Sequence, residues 1–213
     1  MLHVMDAKMI RGLCGMITGG VSTRDFAAVT GLGDADSQEI LDMLKSKDIG
    51  VLRGSFYHFE DGDRLRVAVK LLEEGHPIDE VSKVLHWRDF EGLAAEILGS
   101  MDFAVMRNLV LTKPRMEIDV VGVRLGIAML VDCKHWSATR ASAMRTAVKK
   151  QVERTRHYVA KTQGAVAVPV MVTLYRDAVD FVDGVPIVPI FQFASFVDEF
   201  YGNLDKMQTI RRD

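Results

Sequence analysis

Two aspartates sit inside segments that otherwise read as buried β-strands. Met116-Glu117-Ile118-Asp119-Val120-Val121 and Leu130-Val131-Asp132-Cys133-Lys134 are largely apolar and flank a turn signal at Arg124-Leu125-Gly126. An interior carboxylate must be paired or bound to metal, because the bare charge is costly to desolvate. Alternate side chains of a strand share a face, so Asp132 and Lys134 project together while Val131 and Cys133 point the other way. If the strands pair through Gly126, opposite residues sum to about 252, which sets Asp119 opposite position 133 and beside Asp132 within roughly one residue. Two carboxylates and an ammonium converge.

The pattern around this hairpin predicts a mixed α/β sheet over residues 86–213. Phe90, Leu93, Ala94, Ile97 and Leu98 give an amphipathic helix, followed by strands over Ala104–Leu111, Met116–Leu125 and Ile127–Lys134. Ala141–Thr162 reads as a helix of about six turns with Met144, Val148, Val152 and Val159 on one face. Val166–Leu174 is a buried strand, Phe181–Ile190 a hairpin around Asp183-Gly184, and Ser195–Tyr201 begins a last helix. Of the phenylalanines at 191, 193, 196 and 200, core packing is the better reading, with a homodimer face as the alternative.

Residues 1–85 follow a different rhythm. Val4–Met16 is helical in pattern and stops at Gly19-Gly20; Ser22 or Thr23 caps a helix through Val29 with Gly31 as its stop. Asp36 or Ser37 opens a third helix that turns Ile40, Leu41, Met43 and Leu44 inward. A hairpin follows, from Val51-Leu52-Arg53 through Gly54-Ser55 to Phe56-Tyr57-His58-Phe59. Three helices and a hairpin predict a mainly helical, winged-helix-like domain. Leu65, Ala68, Val69 and Leu72, then Ile78, Val81, Val84 and Leu85, form a helical bridge broken at Gly75-His76-Pro77, with the domain boundary near His86.

Charge divides the chain similarly. Residues 1–85 hold 10 Lys and Arg against 14 Asp and Glu, residues 86–213 hold 17 against 15, and the whole chain carries −2. The third helix and its flanks place Asp34, Asp36, Glu39, Asp42 and Asp48 against only Lys45 and Lys47, a surface that repels phosphate, with Arg53 the best phosphate contact there. From Lys134 to Lys161 the single acid Glu153 stands among Lys134, Arg140, Arg145, Lys149, Lys150, Arg154, Arg156 and Lys161. That strip could track phosphates, or form a solvated helix face. No run approaches the roughly 18 apolar residues of a membrane span, and the N-terminus lacks a secretory signal's apolar core, so no membrane association and a cytoplasmic location are expected. Two cysteines, Cys14 and Cys133, set no zinc cluster or disulfide framework.

Two carboxylates with a lysine suit phosphodiester hydrolysis. A hard divalent ion takes oxygen ligands, polarises the phosphate and lowers the pKa of a bound water, while Lys134 orients that water or neutralises the phosphorane. The Cys133 backbone carbonyl is a further candidate ligand, and its thiol is read as a core group.

Asp119-x12-Asp132-x-Lys134 resembles the motif of PD-(D/E)xK nucleases, and the run from Trp87-Arg88-Asp89-Phe90-Glu91 through Lys134 is similar to the Mrr-type restriction endonuclease-like branch, which includes archaeal Holliday-junction resolvases. The resemblance spans about residues 86–201 and implies a restriction-endonuclease-like sheet flanked by helices, Mg²⁺ with Mn²⁺ as a substitute, and DNA as substrate; RNA stays open. It implies Glu91 as a third carboxylate at the metal and Gln151 as a completing residue; separately, the charge of the basic strip offers Arg140, Arg145, Lys149, Lys150 and Arg154 as candidate DNA contacts. Two departures are visible: Asp132 stands where Glu is commoner, and His86 where a small hydroxylated cap is frequent. A structural Asp119–Lys134 ion pair, a solvated Glu91, a Gln151 merely bordering an apolar face, and His135, Trp136 and His157 as packing or phosphate contacts are the bland alternatives. The competing function is a non-catalytic DNA-binding or regulatory protein on the same fold.

Overall fold

The computed structural model describes residues 2–60, 62–76, 80–81, 83–134, 141–174 and 180–212. The chain forms two compact units, Met1–Leu93 and Ala94–Asp213.

In the first unit, α1 (Leu2–Gly15), α2 (Thr23–Thr30) and α3 (Asp34–Ser46) precede an antiparallel hairpin of β1 (Val51–Arg53) and β2 (Phe56–His58), then α4 (Asp63–Glu73). Leu13, Phe26, Ile40, Leu41, Leu44 and Leu65 are buried in it. The caps of α2 fall where the sequence places them. Ser22 Oγ accepts from Asp25 N–H at 3.2 Å, and Gly31, at φ 67°, donates its N–H to the Ala27 carbonyl. The third helix starts at Asp34 rather than at Asp36 or Ser37. Asp34 and Asp36 then both lie in its first turn, where the helix dipole favours negative charge, and Ser37 is buried. In α4 the buried stripe is Leu65, Val67, Ala68 and Leu71, whereas Val69 and Leu72 are half-buried. Part of the second bridge segment, Ile78 included, lies outside the described residues.

An unforeseen backbone pair joins the hairpin to the loop before α2, with Val21 and Tyr57 exchanging N–H···O bonds of 2.8 and 2.9 Å. The buried Tyr57 hydroxyl donates to Asp42 Oδ1 at 2.8 Å and accepts from Gln38 Nε2 at 2.9 Å. Part of the acidic charge on α3 is therefore engaged in holding the hairpin.

Helix α5 (Trp87–Ser100) carries the unit boundary between Leu93 and Ala94, seven residues beyond the position expected near His86. Its cap is supplied by Asp89, whose Oδ2 accepts from His86 N–H at 2.7 Å while its own N–H donates to the His86 carbonyl at 3.0 Å. The missing hydroxylated cap is thus replaced from inside the helix.

The second unit is built on β3 (Ala104–Leu111), β4 (Met116–Arg124), β5 (Ile127–Lys134), β6 (Val166–Thr173), β7 (Asp180–Val182) and β8 (Val185–Pro189), with α6 (Ala141–Lys161), α7 (Phe193–Asp198) and the short β9 (Ile210–Arg211). The sheet runs β3-β4-β5-β6-β8-β7, with β9 also on β6. The β5–β6 and β6–β8 pairs are parallel and the rest antiparallel, so the sheet is mixed and flanked by helices. Leu125-Gly126 and Asp183-Gly184 have positive φ at both residues, the twist a two-residue hairpin needs.

One sheet face packs on α6. Val121, Ala128, Leu130 and Ala167 meet Tyr158 and Val159, and Met171, Val185 and Ile187 meet Met144, Val148 and Val152. At Gly122 a Cβ would lie 3.0 Å from Leu98 and 3.2 Å from Phe103, so close packing leaves no room for a larger residue. Phe193, Phe196 and Phe200 are buried and stack in one aromatic group, while Phe191 is exposed. The last helical segment is short because 3-10 turns flank α7.

Candidate active site

Strands β4 and β5 pair from Arg124↔Ile127 to Val120↔Val131. This register is offset by one residue from the turn-based expectation, and its continuation sets Asp119 across from Asp132. Regular pairing stops there. The Asp119 side chain takes over, its Oδ2 accepting from the Cys133 N–H at 2.7 Å.

Asp132 is only 2% exposed. Its Oδ1 accepts from Arg154 Nη1 at 2.6 Å and from Lys134 Nζ at 3.0 Å. Its Oδ2 lies 2.8 Å from the same ammonium but in no hydrogen-bond alignment, leaving that contact electrostatic. The expected alternative of an Asp119–Lys134 ion pair gives way to a Lys134–Asp132–Arg154 arrangement.

Burial pushes the Asp119 carboxyl up to about 6, helped by the charge of Asp132 and opposed by the Cys133 N–H, Lys134 and Arg154. Desolvation and like charge both disfavour its anion, and three donors or cations only partly compensate. The two carboxylates are therefore coupled, and a cation brought to both would relieve the repulsion.

Gln151 is fully buried and looks toward the sheet, donating Nε2 to the Leu130 carbonyl at 2.8 Å and accepting from Arg154 at 3.3 Å. It fixes the guanidinium that meets Asp132. A cleft of about 550 Å³ opens beside these groups, lined by Asp132, Lys134, Ser142, Ala143, Thr146, Ala147, Lys150 and Arg154. The first turns of α6 face it, so the positive end of that helix dipole adds to the cationic lining.

The basic strip is divided in space. Lys150 and Arg154 line the cleft, and Arg145 and Lys149 are exposed on α6. At the far end, Lys161 donates to the Thr112 carbonyl, with His157 Nε2 3.4 Å from the same oxygen. Arg140, His135 and Trp136 lie outside the described residues. Cys133 is buried and forms no disulfide among the described residues.

Glu91 belongs to the first unit and is 2% exposed, so the solvated reading of it is wrong. Asp119, Asp132, Lys134 and Gln151 come together in the second. Among the described residues no group of three or more His, Cys, Asp or Glu side chains gathers as a metal centre. The paired carboxylates nonetheless fit a hard divalent ion, because the Asp119 anion is destabilised by its neighbour and both present oxygen donors.

Two features went unread in the sequence. Arg154 reaches Asp132 across 22 residues, which no local spacing encodes. Thr173, the only hydroxyl in the apolar run Val166–Leu174, pairs in register with Lys134; it is buried, and its Oγ1 has no hydrogen-bond partner among the described residues. A lone hydroxyl in such a strand was the available signal.

No protein-family profile matches the chain. Two crystal structures are similar at low level: the protein of unknown function AF1548 (18% identity, TM-score 0.32, 51% of this chain and 54% of that one) and VC1899 from Vibrio cholerae (12%, TM-score 0.39, 96% and 52%). The chain spans about half the length of each, and at these scores neither likeness establishes a shared fold. A protein of Archaeoglobus fulgidus, described as uncharacterized, is 35% identical over 121 residues, which cover 55% of this chain and 93% of the archaeal one. At that identity, and across nearly the whole archaeal sequence, the chain belongs to the same family as this Archaeoglobus fulgidus protein.

Proposed function

We propose that the chain is a divalent-metal-dependent DNA endonuclease, with a restriction-endonuclease-like second unit and a winged-helix-like first unit. The observation that carries this reading is the meeting of Asp119 and Asp132 at the point where β4 and β5 part, with Lys134 on the same face and an open cationic cleft beside them. Magnesium, or manganese in its place, would be held by Asp119 and Asp132, with the Cys133 carbonyl as a further proposed ligand, and would supply Lewis-acid polarisation and an acidified water.

The chain's own residues do the rest. Lys134 places an ammonium where charge accumulates on the phosphate or where the attacking water must be oriented. Gln151, tied to the Leu130 carbonyl, keeps the α6 side of the site in place. Lys150, with Lys149 and Arg145 beyond the cleft, positions the phosphate backbone without reading bases. Holding the charges rigidly on adjacent strands avoids reorganisation during reaction.

A non-catalytic DNA-binding protein is the second reading, favoured by one observation: Lys134 and Arg154 already neutralise Asp132. A panel of duplex, single-stranded, methylated and four-way-junction DNA, with RNA alongside, assayed with Mg²⁺ and Mn²⁺, separates the two. Metal-dependent cleavage by the native protein and none by Lys134→Ala is the expected result. Equal cleavage by both, or none on any substrate, overturns the catalytic reading.

A further inference from the structure

Arg154 combines three properties. Its guanidinium touches Asp132 Oδ1 at 2.6 Å, its side chain is 26% exposed, and it lines the 550 Å³ cleft beside Lys134 and Lys150. Asp132 also lines the cleft but is almost wholly buried, so the guanidinium on its Oδ1 is the more exposed member of the pair. The anchoring contact to Gln151 is the longer one, at 3.3 Å.

Building on the nuclease reading, we infer that Arg154 is a charge latch: it occupies Asp132 until a divalent cation takes its place, and it then turns to a DNA phosphate in the cleft. Electrostatics sets the direction. A guanidinium already on a carboxylate oxygen repels an incoming dication and competes for the same lone pairs, so metal binds the free protein weakly. Once released, an arginine presents a planar fork suited to bidentate phosphate contact, and the cleft offers Lys150 as a second cation. Metal and DNA therefore favour each other, and by linkage each strengthens the other by the same factor. The latch also accounts for a site whose aspartate is neutralised before any metal arrives. Arg154 acts through Asp132 and is a positioning residue.

The test measures Mn²⁺ affinity by calorimetry without DNA, for the native protein, Arg154→Gln and Arg154→Lys, with thermal melting as the check on folding. Gln keeps a donor of similar reach and removes the charge; Lys keeps the charge. The expected result is Mn²⁺ binding at least tenfold tighter in Arg154→Gln and close to native in Arg154→Lys. DNA affinity, read by fluorescence anisotropy on a phosphorothioate duplex, should rise severalfold with Mn²⁺ in the native protein and not in Arg154→Gln. Unchanged or weaker Mn²⁺ binding in a folded Arg154→Gln overturns the latch. If the native protein also cleaves DNA with Mn²⁺, the nuclease reading survives that result. If none of the three proteins binds Mn²⁺, both readings fall.

Discussion

Each unit buries an aspartate, and the two are buried for different ends. Asp63, 3% exposed, sits at the start of α4, where its Oδ2 accepts from the Glu60 N–H at 2.8 Å and its Oδ1 from Arg66 at 3.2 Å. Both of these partners lie three residues away along the chain, and the carboxylate closes a helix entry. Asp132 is equally hidden, but Arg154 comes from another element, a second carboxylate stands across the strand gap, and a cleft opens beside it. Burial of a charge does not by itself mark a site. Crowding of like charges next to solvent-accessible space does, because local folding has no use for it.

The largest expected effect separates these roles by activity. Lys134→Ala should lower DNA cleavage by about a thousandfold or more, the scale of removing a group that stabilises charge in the transition state, with melting temperature and DNA binding nearly native. Asp63→Ala should leave specific activity untouched in the folded fraction. Loss of cleavage in both variants without unfolding would break the comparison.

Stability should respond with opposite signs. Asp119 holds its proton more tightly in the folded chain, so its contribution favours folding below about pH 4 and is lost as pH rises through about 6. Asp119→Asn, which can still accept from Cys133, should therefore stabilise the protein at pH 7.5 by at most about 3 kcal/mol and flatten the stability curve between those values. Added Mg²⁺ should raise the melting temperature of the native protein above pH 6 and have little effect on the variant. A destabilised Asp119→Asn at pH 7.5 would mean that the carboxylate is an ordinary structural group. By contrast, Asp63→Ala should cost about 1–2 kcal/mol, because the Glu60 N–H and Arg66 lose their acceptor. Chemical denaturation of both variants reads the two signs directly.

The smallest effect concerns which unit meets DNA. Replacing Lys149 and Lys150 together by alanine should weaken DNA binding about tenfold at low salt and make its salt dependence shallower by about one unit of slope for each lysine that neutralises a phosphate. Arg53→Ala on the β1–β2 hairpin should change affinity less than about twofold. The reverse ranking would make the first unit the DNA reader despite the acids along α3.

Much of the arrangement is legible in the residues. Ser22 and Gly31 bracket α2 because cap chemistry is local. Asp132 and Lys134 share a face because strand geometry fixes alternation, and Leu125-Gly126 closes the hairpin because both turn residues adopt positive φ. The register itself was not legible: a turn centred on Gly126 sets opposite residues at a sum of about 252, whereas the two-residue turn Leu125-Gly126 sets them at 251 and moves every pair by one. The first-turn placement of Asp34 and the buried stripe of α4 also escaped, since propensity blurs helix starts and packing selects among neighbouring apolar residues.

The sequence by itself determined the strands β3 to β8, the long basic helix, and the aspartates and lysine that such strands cannot hold without a purpose, but not the short β9. Only the tertiary structure decided which charges meet. It gave Lys134 to Asp132 rather than Asp119, tied Asp119 to the Cys133 N–H, buried Gln151 on the Leu130 carbonyl, and brought Arg154 from the helix strip onto the aspartate. The physical reason is range. Strand alternation and helix caps act over a few residues of chain, whereas the partner of a buried charge is chosen by the packing of whole elements, which no spacing along one segment records.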